Sequence, residues 1–272
     1  MMRIALFQMQ VASGNVAANL GSIAEAAQKA ADNGASLLVA PELALTGYGA
    51  GDAIRSLAEP ADGAQIAKLE AIAAAHGVAI VSGFAERDGA VVYNSTAYVD
   101  GRGGRAIYRK SHLFGDYERG LFQPAPPATC LFRHGGLKIG ILICYDVEFP
   151  ENVRRLALAG ADMVVVPTAL PAGPSGTFIA QKMIQVRAFE NQIFLAYVNH
   201  AGADETFTFA GMSRLAAPDG GLLVEIDDAE EALRFADIDP AARAAVMREY
   251  SYLGDLGSFN PAATGQRRRS PA

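Results

Sequence analysis

A glutamate, a lysine and a cysteine each stand where a short apolar run ends or turns. Glu42 closes Leu38-Val39-Ala40-Pro41-Glu42, and Lys110 lies within Tyr108-Arg109-Lys110-Ser111-His112-Leu113-Phe114. Cys144 follows Ile141-Leu142-Ile143 and leads into Tyr145-Asp146. These types can divide the labour of a hydrolysis. A thiol attacks a carbonyl carbon, a carboxylate moves the proton and an ammonium holds the oxyanion. Each also has an ordinary reading. A lone Cys after Ile-Leu-Ile is commonly a small core residue, and Glu42 alone would pass for a solvated loop carboxylate. Lys110, set between Ile107-Tyr108 and Leu113-Phe114, is poorly placed for an unpaired charge.

The elements that must position this trio read as alternating apolar β-rich runs and alanine-rich helical runs. Strands are expected at 3–9, 36–41, 78–84, 92–99, 105–109, 129–133, 137–143, 163–167, 193–198, 209–215, 221–226 and 233–237. Helices are expected at 15–32, 62–76, 150–159, 177–190 and 240–249. Asn15 and Asp32-Asn33-Gly34 bound the first helix, and Pro150 suits the first turn of the third. The turns Arg87-Asp88-Gly89, Asp100-Gly101 and Pro218-Asp219-Gly220 join strands expected to be antiparallel neighbours, and 116–128 reads as a long surface loop. In this arrangement a buried strand delivers Cys144 to a strand-to-helix turn, where backbone N–H groups would favour the thiolate. Burial would raise the pKa of Glu42 towards the range a proton carrier needs.

Composition narrows the class. The 272 residues are 51% hydrophobic and 19% charged, which suits a large buried core and an α/β chain with a mixed sheet. A net charge of −6 gives no reason to expect a nucleic-acid partner. The triplet Arg267, Arg268 and Arg269 sits in a Gly/Gln/Ser/Pro tail and reads as a solvated terminus. No run approaches the ~18 consecutive apolar residues of a membrane span, and the start of the chain lacks the pattern of a signal peptide. Cys130 and Cys144 do not form a disulfide framework, so a cytoplasmic setting with a free Cys144 thiol is expected. Four scattered histidines make no zinc spacing, and neither a phosphate-cradling glycine motif nor a Gly-x-Ser-x-Gly elbow occurs. No metal or cofactor is expected.

Three segments, in their order and flanks, resemble the motifs of the nitrilase (carbon–nitrogen hydrolase) superfamily. They are Pro-Glu-Leu-Ala-Leu-Thr-Gly-Tyr at 41–48, Tyr-Arg-Lys-x-His-Leu-Phe at 108–114 and Cys-Tyr-Asp-Val-Glu-Phe-Pro-Glu at 144–151. The resemblance runs from Ile4 to Pro218-Asp219-Gly220; with no repeat of solenoid length and no Gly/Ser linker, a single domain over 1–272 is expected, with 260–272 a flexible tail. The resemblance implies a four-layer α-β-β-α sandwich of two mixed sheets packed face to face. It also implies that Glu42 is the general base, Lys110 the oxyanion partner and Cys144 the nucleophile.

The segment Gly115-Asp116-Tyr117-Glu118-Arg119-Gly120-Leu121-Phe122-Gln123-Pro124 is similar to the one that supplies a second glutamate, Glu118, although Ala125 stands where relatives carry glycine. Thr168 and Ala169 lie in the substrate-facing loop the resemblance implies, and the Tyr145 backbone N–H would join the oxyanion hole. Arg187 and Glu190 fit a structural ion pair, and nothing ties His112 or His200 to Cys144. The implied activity is an amidase that cleaves a small aliphatic or amino-acid-derived amide through an acyl-thioester on Cys144. An N-carbamoyl amine hydrolase, a nitrilase, a soluble acyltransferase and a catalytically silent binding protein are the alternatives. The implied partners are a small-molecule amide and, from the family, a second copy in a homodimer or higher homo-oligomer.

Overall fold

Apolar runs bounded by turn residues become strands at all twelve expected positions. The first half of the chain runs β1 (Met2–Gln8), α1 (Val16–Asp32), β2 (Leu37–Val39), α2 (Ala53–Leu57), α3 (Ala64–His76), β3 (Ala79–Asp88), β4 (Val91–Val99), β5 (Arg105–Arg109) and α4 (Gly115–Leu121). The second half opens with β6 (Leu131–His134), β7 (Leu137–Ile141), a 3₁₀ turn (Cys144–Glu148), α5 (Pro150–Leu158) and β8 (Met163–Pro167). A helix follows as α6 (Pro174–Phe178), a π-helical segment (Ile179–Met183) and α7 (Ile184–Asn191). Then come β9 (Phe194–Val198), β10 (Arg214–Ala216), β11 (Leu222–Glu225), β12 (Ala232–Ile238), α8 (Pro240–Glu249) and α9 (Tyr252–Asp255). The computed structural model describes residues 1–250 and 252–256, so the expected tail with its arginine triplet lies outside the described residues.

Two six-stranded mixed sheets result, in the orders β12-β1-β2-β3-β4-β5 and β11-β10-β9-β8-β7-β6. Each is built round a parallel trio, β1-β2-β3 in one and β7-β8-β9 in the other, with antiparallel strands outside. The three turn signals do join antiparallel neighbours: β3 to β4, β4 to β5 and β10 to β11.

Period-two alternation places the layers. On β1, Ile4 and Leu6 face the other sheet and share a core with Leu37, Val39, Ile139, Ile141 and Val165. Ala5 and Phe7 face outwards, onto Leu20 and Ile23 of α1 and Ile66 and Leu69 of α3. Val153 and Leu156 of α5, with Ile184 and Ala188 of α7, cover the second sheet. This is the expected four-layer α-β-β-α sandwich. Each buried Leu or Ile of the shared core contributes about 1.5–3 kcal/mol, which locks one sheet against the other. Among the described residues no helix is long and apolar enough to cross a membrane.

Several elements depart from expectation. The 116–128 loop begins as helix, because Tyr117 Oη donates to Tyr48 O and Glu118 is drawn into the interior. The strand expected over 209–215 starts only at Arg214. Ahead of it Met212 takes φ +58°, the Asn199 side chain holds Gly211 O and Gln8 Oε1 accepts from Ser213 N–H. The short helix α2 had no periodic signal to announce it.

Candidate active site

The C-terminal ends of the parallel strands from both sheets converge, as is usual for a ligand site in an open α/β sheet. Glu42 lies three residues beyond β2. The chain stays tied to β3 through Ala40 N to Val81 O at 2.8 Å and Gly83 N to Pro41 O at 3.0 Å. A Cβ on Gly83 would stand 2.1 Å from Leu43 N and 2.6 Å from Glu42 C, so glycine is required for this approach. Leu43 is held in the left-handed region at φ +48°, a costly conformation for a branched residue. His200, beyond β9 in the other sheet, lies 2.6 Å from Glu42 O through Nε2. A carbonyl only accepts, so Nε2 carries the proton. Burial lowers the His200 pKa to about 4 and keeps the ring neutral.

Lys110 continues β5, its N–H bonded to Asn94 O at 2.8 Å. Its fully buried Nζ sits between Glu42 Oε1 at 2.7 Å and Glu118 Oε1 at 2.6 Å. Tyr48 Oη donates to Glu118 Oε1 at 2.9 Å, and Phe114 N–H donates to Glu118 Oε2 at 2.9 Å. Glu118 is therefore satisfied on both oxygens. Glu42 is not: Oε1 accepts from Lys110 and from Asn94 Nδ2 at 2.7 Å, while buried Oε2 has no partner among the described residues. Burial, reinforced by Glu118, raises the Glu42 pKa although Lys110 and Asn94 pull it down. Burial also works to discharge Lys110, but Glu118, Glu42 and Cys144 outweigh it and raise its pKa well above the usual lysine value.

Cys144 ends the run from β7 and opens the 3₁₀ turn in the left-handed region, at φ +44°. The turn is pinned from two sides. Asp146 reaches back to accept from Ser111 Oγ at 2.7 Å, His112 N at 2.9 Å and Tyr108 Oη at 3.0 Å. Arg187 donates to Val147 O at 3.0 Å and Glu148 O at 2.8 Å, and pairs with Glu190 at 3.0 Å as expected. The expectation of a favoured thiolate is corrected here. Burial, then Glu42 and Glu118, pushes the Cys144 thiol well above its ordinary pKa, and Lys110 with the Ala169 N–H only partly opposes them. The balance favours the protonated thiol over the thiolate.

A cavity of about 400 Å³ opens onto Cys144, with Phe114, Tyr145, Glu148, Leu170, Pro171 and Ile179 on its wall. The Tyr145 N–H stands at the first turn of the 3₁₀ segment, beside Cys144. Ala169 presents its N–H to the sulfur. The Thr168 hydroxyl instead donates to Val166 O at 2.9 Å, inside the sandwich and off the cavity wall. His112 stacks on Phe149 and bonds Asp146, so both histidines brace the elements that carry the trio. Tyr48 and Glu148 belonged to recognised motifs without being singled out, His200 had nothing to tie it to the site, and Asn94 had no distinguishing signal. Among the described residues no three His, Cys, Asp or Glu side chains converge as metal ligands.

Two face-to-face mixed sheets that bring a buried Glu-Lys-Glu cluster beside a strained cysteine define a class, and the family model for carbon-nitrogen hydrolases matches residues 3–248. The chain belongs to the carbon-nitrogen hydrolase family and is a hydrolase of non-peptide carbon–nitrogen bonds. A Pseudomonas protegens protein described as a hydrolase in the pqqF 5′ region is 42% identical over 93% of this chain and 88% of its own length. The (R)-stereoselective amidase of a Pseudomonas species is 37% identical over 93% of this chain and 91% of its own. Among solved structures, a mutant amidase from Nesterenkonia sp. AN1 superposes with a TM-score of 0.82 at 34% identity, covering 92% of this chain and 96% of that one. It carries the acetamide moiety of fluoroacetamide covalently added at its active-site cysteine.

Proposed function

We propose that this chain is a cysteine-dependent amidase that hydrolyses a small amide to a carboxylic acid and ammonia. One observation carries the reading: a buried carboxylate with one oxygen held by Lys110 and the other unpartnered, close to the Cys144 thiol. Similarity to the two amidases supports it. Glu42 accepts the Cys144 proton as the sulfur attacks the amide carbon. Lys110 and the Tyr145 N–H hold the oxyanion, and Ala169 N–H steadies the sulfur. The tetrahedral adduct collapses, its C–N bond breaks, and the departing nitrogen takes the proton from Glu42. Water then gives a proton to Glu42 and its oxygen to the thioester carbon, releasing the acid and restoring the thiol. Because burial favours the protonated thiol, proton transfer to Glu42 accompanies the attack.

Glu118 holds Lys110 in place and keeps it charged. Thr168 positions the loop that carries Ala169. A homodimer completes the reading, and two free cysteines accord with a reducing setting. The test is ammonia release from small amides, amino-acid amides, carbamoyl amines and nitriles, comparing wild type with Cys144→Ala. Amide turnover that vanishes in the folded variant supports the reading, and turnover that survives overturns it.

A further inference from the structure

The cavity wall beside Cys144 carries a charged group that the proposed reaction leaves unused. Glu148 ends the 3₁₀ turn that Cys144 opens, and both line the cavity. Its backbone carbonyl is fixed by Arg187, but its carboxylate has no hydrogen-bond donor or ion-pair partner among the described residues. Glu42, Glu118 and Asp146 all differ in this respect, since each is held by named donors. Burial raises the Glu148 pKa, and the charges of Lys110 and Arg187 offset this only in part. Around it the wall is apolar, from Phe114, Tyr145, Leu170, Pro171 and Ile179. A half-buried carboxylate in such a wall is costly until a cation or donor completes it.

We propose that Glu148 receives an ammonium group on the acyl portion of the substrate, so that the preferred substrates are amides bearing a protonated amine α or β to the carbonyl. This inference rests on the amidase reading. Four residues of 3₁₀ helix span about 8 Å, so the Glu148 side chain on the cavity wall is within reach of a group one or two bonds from a carbonyl held at Cys144. Sulfur, carboxylate and apolar wall then give three points of attachment, enough to distinguish the enantiomers of an α-amino amide.

Alaninamide and isobutyramide test this, because they differ by an ammonium in place of a methyl. The α-amine titrates at about 7.7–8.0, so at pH 7 it is mostly charged. Wild type is expected to favour alaninamide, and Glu148→Gln to lower the alaninamide-to-isobutyramide ratio of kcat/KM about 10- to 100-fold. Glu148→Asp should keep part of the ratio, and raising the pH through the amine's pKa should erase the wild-type preference. If Glu148→Gln slows both substrates equally, the carboxylate acts on the reacting atoms and the inference is overturned. A wild type that hydrolyses neutral amides with no preference for the cation overturns it too, and leaves the amidase reading standing. A wild type that hydrolyses no amide overturns both. Should the glutamine variant fail to fold, wild type decides: isopropylammonium should compete with isobutyramide and isopropanol should not, whereas equal inhibition by the two overturns the inference.

Discussion

Between Tyr108 and His112 the chain feeds two buried carboxylate clusters. Tyr108, Ser111 and His112 donate to Asp146, whose oxygens also receive the Ile143 N–H at 3.3 Å. Lys110 turns to Glu42 and Glu118 instead. The first cluster saturates its carboxylate and joins the lysine loop to the cysteine turn. The second carries two carboxylates against one ammonium and leaves Glu42 Oε2 open. A saturated buried carboxylate contributes to stability. An unsaturated one detracts from stability and retains a site for a proton. The same short segment thus serves structure and chemistry by aiming neighbouring side chains at different partners.

Substitution should separate the two. Glu42→Gln removes the proton acceptor and should lower kcat about a thousandfold. Because the Glu42 pKa is raised, ionisation at neutral pH opposes folding, so the variant should melt no lower than wild type; a lower melting temperature would break the comparison. Asp146→Asn should show the opposite balance, a loss of about 3 kcal/mol in denaturant unfolding, with activity falling only as the two segments part.

His200 extends the contrast to pH. Its pKa is about 4 in the folded protein against 6.5 unfolded, so folding favours the neutral ring. That contribution is complete above pH 6.5 and declines as the pH falls to about 4, by about 3 kcal/mol in all. Unfolding free energy measured across this window should fall less steeply in His200→Gln. Gly83→Ala should cost about 1–3 kcal/mol through backbone displacement, with a KM and kcat penalty traceable to Glu42. Glu190→Gln, at a partly exposed ion pair, should change stability by no more than about 1 kcal/mol, because Arg187 keeps its bonds to the turn.

The sandwich was legible because its strands are short, apolar and punctuated by Asp-Gly turns, and because buried helices repeat alanine and leucine at helical spacing. Glu42, Lys110 and Cys144 stood out because each interrupts an apolar run at a strand end, and the structure brings all three to one place. The seven-residue α4 was not legible: Gly115 and Gly120 bracket it, and tertiary bonds to Tyr48 and Lys110 stabilise it where local propensity does not. Nor could spacing reveal that His200 would hold the Glu42 carbonyl, or that Glu148 would lack a partner. Those facts depend on two sheets meeting. The protonation of Cys144 was misjudged for the same reason, since the weight of burial against Lys110 appears only when the layers close.

The trio is divided between the sheets. Glu42 and Lys110 hang from one and Cys144 from the other, and packed side chains such as Leu6, Val39, Ile141 and Val165, with the bonds of Asp146 to the lysine loop and of His200 to Glu42 O, set the gap. The distance over which the proton travels is therefore a dimension of the hydrophobic core. Trimming a methylene far from the sulfur would alter that spacing like a shim under a vice jaw, and turnover would register the change while the fold still held.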